Sequence, residues 1–172
     1  VVANHPGAYD GLILFLQLKR QEIQRISSDI LVFYLLENTR KHILFSSRID
    51  YSDHFLVMRN AIYHLRSGGT LVYLASGGRD PDPAVYTGAD LAMDNWLDTF
   101  EAFLKYVPGL RILPTVVSNV ISPHWVHHPV TWLQREEGWK HILSEFGQVI
   151  SQLVYPGRLM IAPTISFGKS FS

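Results

Sequence analysis

The stretch HLRSGGTLVYLASGGRDPDP, His64 to Pro83, decides the fold class. Its first residues close an amphipathic pattern in which Phe55, Met58, Ile62 and Leu65 recur at steps of three and four, which predicts a helix between Asp53 and Arg66. Ser67 to Gly69 then stops that helix. Thr70 to Ala75 follows as a short apolar run with β-branched and aromatic residues, the clearest strand in the chain. A loop rich in Gly, Pro and Asp comes next. A helix feeding a buried strand that opens into such a loop is the unit from which α/β domains are built.

The same alternation extends outwards in both directions. Val1 to Ala3 reads as a strand leading into a helix from about Asp10 to Arg25, and Asp29–Leu35 and His42–Ser46 read as buried strands. A helical stretch is expected from Ala89 to Tyr106. The run LRILPTVVSNV (Leu110–Val120) is a further buried strand, with Pro114 marking a strand end or an edge. A helix over Glu136–Val154 and a last strand over Arg158–Ile165 complete the pattern. The expectation is a single α/β domain over residues 1–172, with a central mixed, largely parallel sheet flanked by helices. Neither an internal boundary nor a repeat is visible.

Composition narrows the functional classes. Fifteen basic residues balance fifteen acidic ones without a polybasic tract, which argues against nucleic acid as a partner, since phosphate backbones need a basic face. Absence of cysteine excludes disulfides, thiolate metal sites and a cysteine nucleophile. The longest apolar runs, such as Ile30–Leu36, fall far short of the ~20 residues that cross a bilayer. Because the chain opens on valine inside a strand-like run, an N-terminal segment is expected to precede it, with membrane attachment either peripheral or through an anchor on that segment.

Three features beside strands carry the candidate chemistry. In VANHPGAYDG, His5 and Asp10 lie at a strand-to-helix junction. Asp10 either caps the turn and helix start or orients the His5 imidazole as a base. No serine or cysteine nucleophile accompanies them, and G-x-S-x-G is absent, so a substrate hydroxyl is the expected nucleophile. Arg48 ends the run ILFSSR, where its fork of donors suits a phosphate or a surface ion pair. In ASGGRD, Ser76, Gly77, Gly78 and Arg79 present backbone N–H groups and a guanidinium to an anion or oxyanion.

Taken together, the chain resembles the glycerolipid acyltransferases of the lysophosphatidic-acid and glycerol-phosphate type. Their N-H-x4-D motif is matched by Asn4, His5 and Asp10, the arginine of their second motif by Arg48, and their F-P-E-G-T-R-S motif by Leu74 to Asp80. Pro114 falls in the strand that carries their fourth motif. The resemblance covers roughly residues 3 to 120. Ala75 and Ser76 stand where the family has proline and glutamate, and Gly7 stands where serine is common.

The resemblance implies transfer of a fatty acyl group from a thioester of coenzyme A or acyl carrier protein to a hydroxyl of a glycerophosphate- or lysophospholipid-like acceptor. His5 would be the general base, oriented by Asp10. Asn4, Arg48, Ser76, Gly77, Gly78 and Arg79 would bind substrate, with no metal or other cofactor. It also implies work at the cytoplasmic face of a membrane. Two alternatives accompany it: a lipid-binding member of the fold without activity, and a hydrolase of thioesters or lipid esters.

Elsewhere, His124, His127 and His128 form a dense cluster, but no carboxylate is near until Glu136, so packing is preferred to a metal site. Trp125, Trp132 and Trp139 suit a lipid-facing surface or a packed lid equally. Asp80 and Asp82, each before a proline, read as turn formers.

Overall fold

A computed structural model describes residues 1–28, 30–47, 51–96, 99–133 and 137–172. Six strands form one sheet: β1 (Val2–Ala3), β2 (Ile23–Ser28), β3 (Ile43–Ser46), β4 (Thr70–Leu74), β5 (Pro114–Ser118) and β6 (Thr164–Phe167). Their order is β3-β2-β4-β1-β5-β6. All neighbours run parallel except β6, which is antiparallel to β5. The helices are α1 (Asp10–Leu18), α2 (Leu31–Leu35), α3 (Glu37–Arg40), α4 (Tyr51–Arg66), α5 (Thr99–Tyr106), α6 (Pro123–Val126) and α7 (Glu137–Val154), with 3-10 turns over Ala89–Asn95 and Pro129–Leu133. This is a single α/β domain with a mixed, mostly parallel sheet flanked by helices.

The sheet is covered on both faces, which is why β4 is apolar at consecutive positions. Val72 and Leu74 pack with Ala3, Ile23, Val117 and Leu14 of α1. Leu71 and Tyr73 point the other way, to Ala61 of α4 and Phe103 of α5. The chain leaves β1 towards β2 on one side of the sheet, and leaves β3 and β4 in the opposite direction. With a common crossover hand, that reversal puts α1 on one face and α4 and α5 on the other. Loops after β1 and β4 therefore lead to helices on opposite faces, the topology that in α/β sheets leaves a ligand crevice at the carboxyl ends of the two adjacent strands.

Several expected elements differ. The helix from Asp10 ends at Leu18, where Lys19 takes a left-handed φ of 48°, and residues up to Arg25 are not helical. Ile23–Ser28 is a strand instead, with alternate residues buried. Its inward positions are Ile23, Arg25 and Ser27, and the two polar ones hide the alternation. The apolar run expected as a strand over Asp29–Leu35 is helical from Leu31, and Asp29 lies outside the described residues. Ile30, Leu35 and Leu36 are exposed and not part of the core.

Phe55, expected on the buried face of α4, is also exposed, while Val57 and Ala61 are buried beside the half-buried Met58, Ile62 and Leu65. The last strand covers Thr164–Phe167, with Arg158–Pro163 irregular. Pro114 is the first residue of β5, a strand end, although β5 lies between β1 and β6. Among the described residues no helix is long and apolar enough to cross a membrane.

Candidate functional site

His5 hangs from the end of β1, and its position is set by side chains that imitate sheet pairing. The Asn4 carboxamide, buried, donates from Nδ2 to the Val117 carbonyl at 2.8 Å and accepts the Val117 N–H on Oδ1 at 2.7 Å. Both ends of Asn4 are thus engaged by β5. On the other side, Asp80 Oδ2 accepts the His5 N–H at 2.7 Å, and the Asp80 N–H donates to the His5 carbonyl at 3.0 Å. The loop after β1 is held between its two neighbours.

The two readings of Asp10 turn out to describe one oxygen. Asp10 Oδ2 accepts the Gly7 N–H at 2.7 Å and also meets His5 Nδ1 at 3.0 Å. That second contact assigns the proton to Nδ1, because a carboxylate can only accept. Nε2 has no protein partner among the described residues. The His5 side chain is 19% exposed, whereas Asp10 is fully buried. Asp10 Oδ1 is buried and has no hydrogen-bond partner among the described residues.

Arg25, buried on β2, holds its guanidinium against α1. A Cβ at Gly11 would meet its Nη1 at 2.0 Å, so glycine is what makes room for it. Burial pulls Arg25 below its ordinary pKa, and the Asp10 carboxylate acts in the opposite direction.

The loop after β4 brings the third feature to the same crevice. Gly77 has a φ of 63°, a conformation natural to glycine, and its N–H returns to the Leu74 carbonyl at 3.3 Å. Ser76 Oγ donates to the Gly78 carbonyl at 3.0 Å, closing the turn on itself. Arg79 Nη1 donates to Glu145 Oε2 at 2.6 Å. Asp82, fully buried, accepts N–H groups from Ala84, Asn119, Val120 and Ile121, tying this loop to the one after β5. Asp82 is the turn former the sequence suggested, taking the Ala84 N–H on its side chain and the Val85 and Tyr86 N–H groups on its carbonyl, and both aspartates are in addition buried anchors. Arg48 lies outside the described residues.

Helix α7 closes the site with residues that sequence reasoning missed. Glu145 Oε1 accepts the Ala8 N–H, and His141 Nε2 bonds the Pro6 carbonyl. Burial lowers the His141 pKa from its ordinary value, opposed by the Pro6 carbonyl and the nearby carboxylates of Glu145 and Asp10. Gln148 accepts from Ser122 N–H at 2.8 Å and donates to the Val120 carbonyl at 2.9 Å. One signal was available. His141, Ser144, Glu145 and Gln148 recur at steps of three, one and three, a polar stripe along one side of the helix.

A cavity of about 250 Å³ lies between α1 and α7, bounded by Asp10, Glu145, Ile13, Val120, Val149 and Ile161. A larger one of about 550 Å³, which includes Leu18, Gly69 and Leu113, shares no residue with it and opens at the amino ends of β1 and β4.

The histidine-rich segment packs locally. The Trp125 and His128 rings stack at 4.7 Å, and Trp125 fills the space left by Gly147 on α7. Among the described residues no group of three or more His, Asp or Glu side chains is placed to hold a metal ion. Trp132 and Trp139 are exposed, and with Phe146, Ile150 and Leu153 they leave an apolar face on the outer side of α7. No protein-family model, curated protein or solved structure matches the chain.

Proposed function

We propose that the protein is an O-acyltransferase that moves a fatty acyl group from a thioester of coenzyme A or acyl carrier protein to the hydroxyl of a glycerophosphate- or lysophospholipid-like acceptor. The observation that carries this reading is the 3.0 Å contact between His5 Nδ1 and Asp10 Oδ2 at the carboxyl end of β1, with Nε2 open. In the reaction, Nε2 takes the acceptor hydroxyl proton as its oxygen attacks the thioester carbonyl. The C–O bond forms, the C–S bond breaks, and the imidazolium returns the proton to the departing thiolate. Asp10 stabilises the imidazolium between these steps.

Several features support the substrate class. Arg79 and the Gly77–Gly78 turn lie in the same crevice, suited to an anionic portion of the acceptor. The cavity beside Asp10 has an apolar side formed by Ile13, Val120, Val149 and Ile161. The outer face of α7, with Trp139 and Phe146, and the exposed Ile30 and Leu35 suit a lipid surface, so the proposed place of work is the cytoplasmic face of a membrane.

Thiol release from long-chain acyl-CoA tests the proposal, with and without lysophospholipids and glycerol phosphates, in the wild type and His5→Ala. The chain has no cysteine, so a thiol-reactive dye sees only released coenzyme A. Acceptor-dependent release that His5→Ala abolishes is expected. Release that needs no acceptor would replace the transferase with a hydrolase. No release with either carrier would leave a lipid-binding protein.

A further inference from the structure

The contact between Arg79 and Glu145 does more than join two elements. One carboxylate, brought by α7, takes donors from two separate loops: Ala8 N–H after β1 on Oε1, and Arg79 Nη1 after β4 on Oε2. A backbone N–H beside an arginine fork is a donor set that suits phosphate oxygens. In this structure the protein's own anion is seated on it.

Three observations indicate that the seat can be exchanged. First, the Arg79 and Glu145 side chains keep 27% and 12% of their surface exposed, so the pair is reachable from solvent. Second, Gly7 beside it carries no side chain, and a Cβ there would lie 3.1 Å from Glu145 Oε1. Glycine therefore keeps the approach of that carboxylate uncrowded. Third, α7 is tied to the site loops independently, by His141 to Pro6 and by Gln148 to Ser122 and Val120. Glu145 can swing away without the helix undocking.

We propose that Glu145 is a built-in occupant of an oxyanion seat made by Ala8 N–H and the Arg79 guanidinium, and that the phosphate of a phosphomonoester displaces it. The inference rests on reading this crevice as the acceptor site, but its content is phosphate binding, which needs no turnover. It makes Glu145 a specificity-determining residue. A phosphate-bearing ligand binds only in the fraction of molecules whose seat is vacated, and its apparent affinity is reduced by that fraction. A neutral ligand leaves the pair in place.

Calorimetric titration of the full chain with inorganic phosphate and with glycerol 3-phosphate, at constant ionic strength, tests this. Glu145→Gln keeps the size of the side chain and removes its charge. It is expected to bind both ligands about tenfold more tightly than wild type. Adding Arg79→Gln should remove the gain. Equal affinity for the two ligands assigns the seat to phosphate itself, and preference for the ester assigns it to a headgroup; either supports the proposal. Unchanged affinity in Glu145→Gln, or a gain that survives loss of Arg79, overturns it.

Should the variant fail to fold, the wild type still decides by NMR. Saturable movement of the Ala8 amide resonance with phosphate is expected, and a stationary resonance overturns the proposal. The two readings fail separately. Thiol release without the affinity gain sinks only the exchange, and the gain without thiol release sinks only the transferase.

Discussion

Asp80 holds the backbone of His5 at two points, accepting its N–H at 2.7 Å and donating to its carbonyl at 3.0 Å. The imidazole is therefore placed from the main chain on one side and from Asp10 on the other. Asp80 Oδ1 also meets Trp96 Nε1 at 3.3 Å, so one buried carboxylate serves two donors. Asp80→Ala leaves both donors without an acceptor and is expected to destabilise the fold by about 1–3 kcal/mol. Urea unfolding reads this directly, and a loss below ~0.5 kcal/mol would mean that water substitutes for the carboxylate.

Asp10→Asn keeps an oxygen for His5 Nδ1 and Gly7 N–H while removing the charge. On the proposed mechanism, thiol release should fall by about 100-fold or more, because the imidazolium loses its counter-charge. Single-turnover rates at saturating acyl-CoA measure it. A fall of less than a few-fold would take the general-base role from this pair.

His141 predicts a pH dependence of stability. Its folded pKa is lowered by burial, so between that value and the ordinary ~6.5 the unfolded chain binds more protons. Stability from this group is complete above about pH 6.5 and falls as the pH drops towards the folded pKa, with a slope of up to ~1.4 kcal/mol per pH unit. In His141→Gln, which retains a donor for the Pro6 carbonyl, that part of the slope should vanish. Unfolding free energies from pH 7.5 down to 5 compare the two. Parallel profiles would show that the imidazole titrates alike in both states.

Gly147 offers a test of packing in which local propensity and tertiary fit oppose each other. Alanine is the better helix former by about 1 kcal/mol. A Cβ there would nevertheless lie 2.3 Å from Trp125 Cζ3, inside a rigid ring. Gly147→Ala is therefore expected to destabilise by about 1–3 kcal/mol, and Trp125→Leu in the same chain should recover much of the loss. A thermal melt that rises on Gly147→Ala alone would contradict the contact.

How much of this was legible in the sequence depended on what each residue faces. β4 was plain because Leu71 and Tyr73 serve one face and Val72 and Leu74 the other, so the run from Leu71 to Leu74 is apolar throughout. β2 was hidden because a buried arginine and a buried serine occupy two of its inward positions. Ile30–Leu36 misled in the opposite sense, being apolar where the chain meets solvent. In the site, His5 and Asp10 could be paired because only four residues separate them across one turn. Glu145 reaches the same place from 137 residues beyond Ala8. Only the tertiary fold, acting through the polar stripe of α7, brings it there.

Asn4 carries a consequence for the ageing of the polypeptide. Its carboxamide presents a donor and an acceptor side by side to the Val117 backbone, a complementarity that no carboxylate reproduces. Slow hydrolysis of that amide to an acid would set an oxygen against the Val117 carbonyl at the 2.8 Å now bridged by a hydrogen. One rung of the sheet would become a repulsion, and the histidine next in sequence would lose its support on the β5 side. On the proposed function, a stored sample is expected to lose thiol release in step with the appearance of Asp at this position in its mass spectrum. Activity that outlasts the conversion would show that the neighbouring strand holds His5 alone. The lifetime of this protein is, on that view, set by the chemistry of a single side-chain amide.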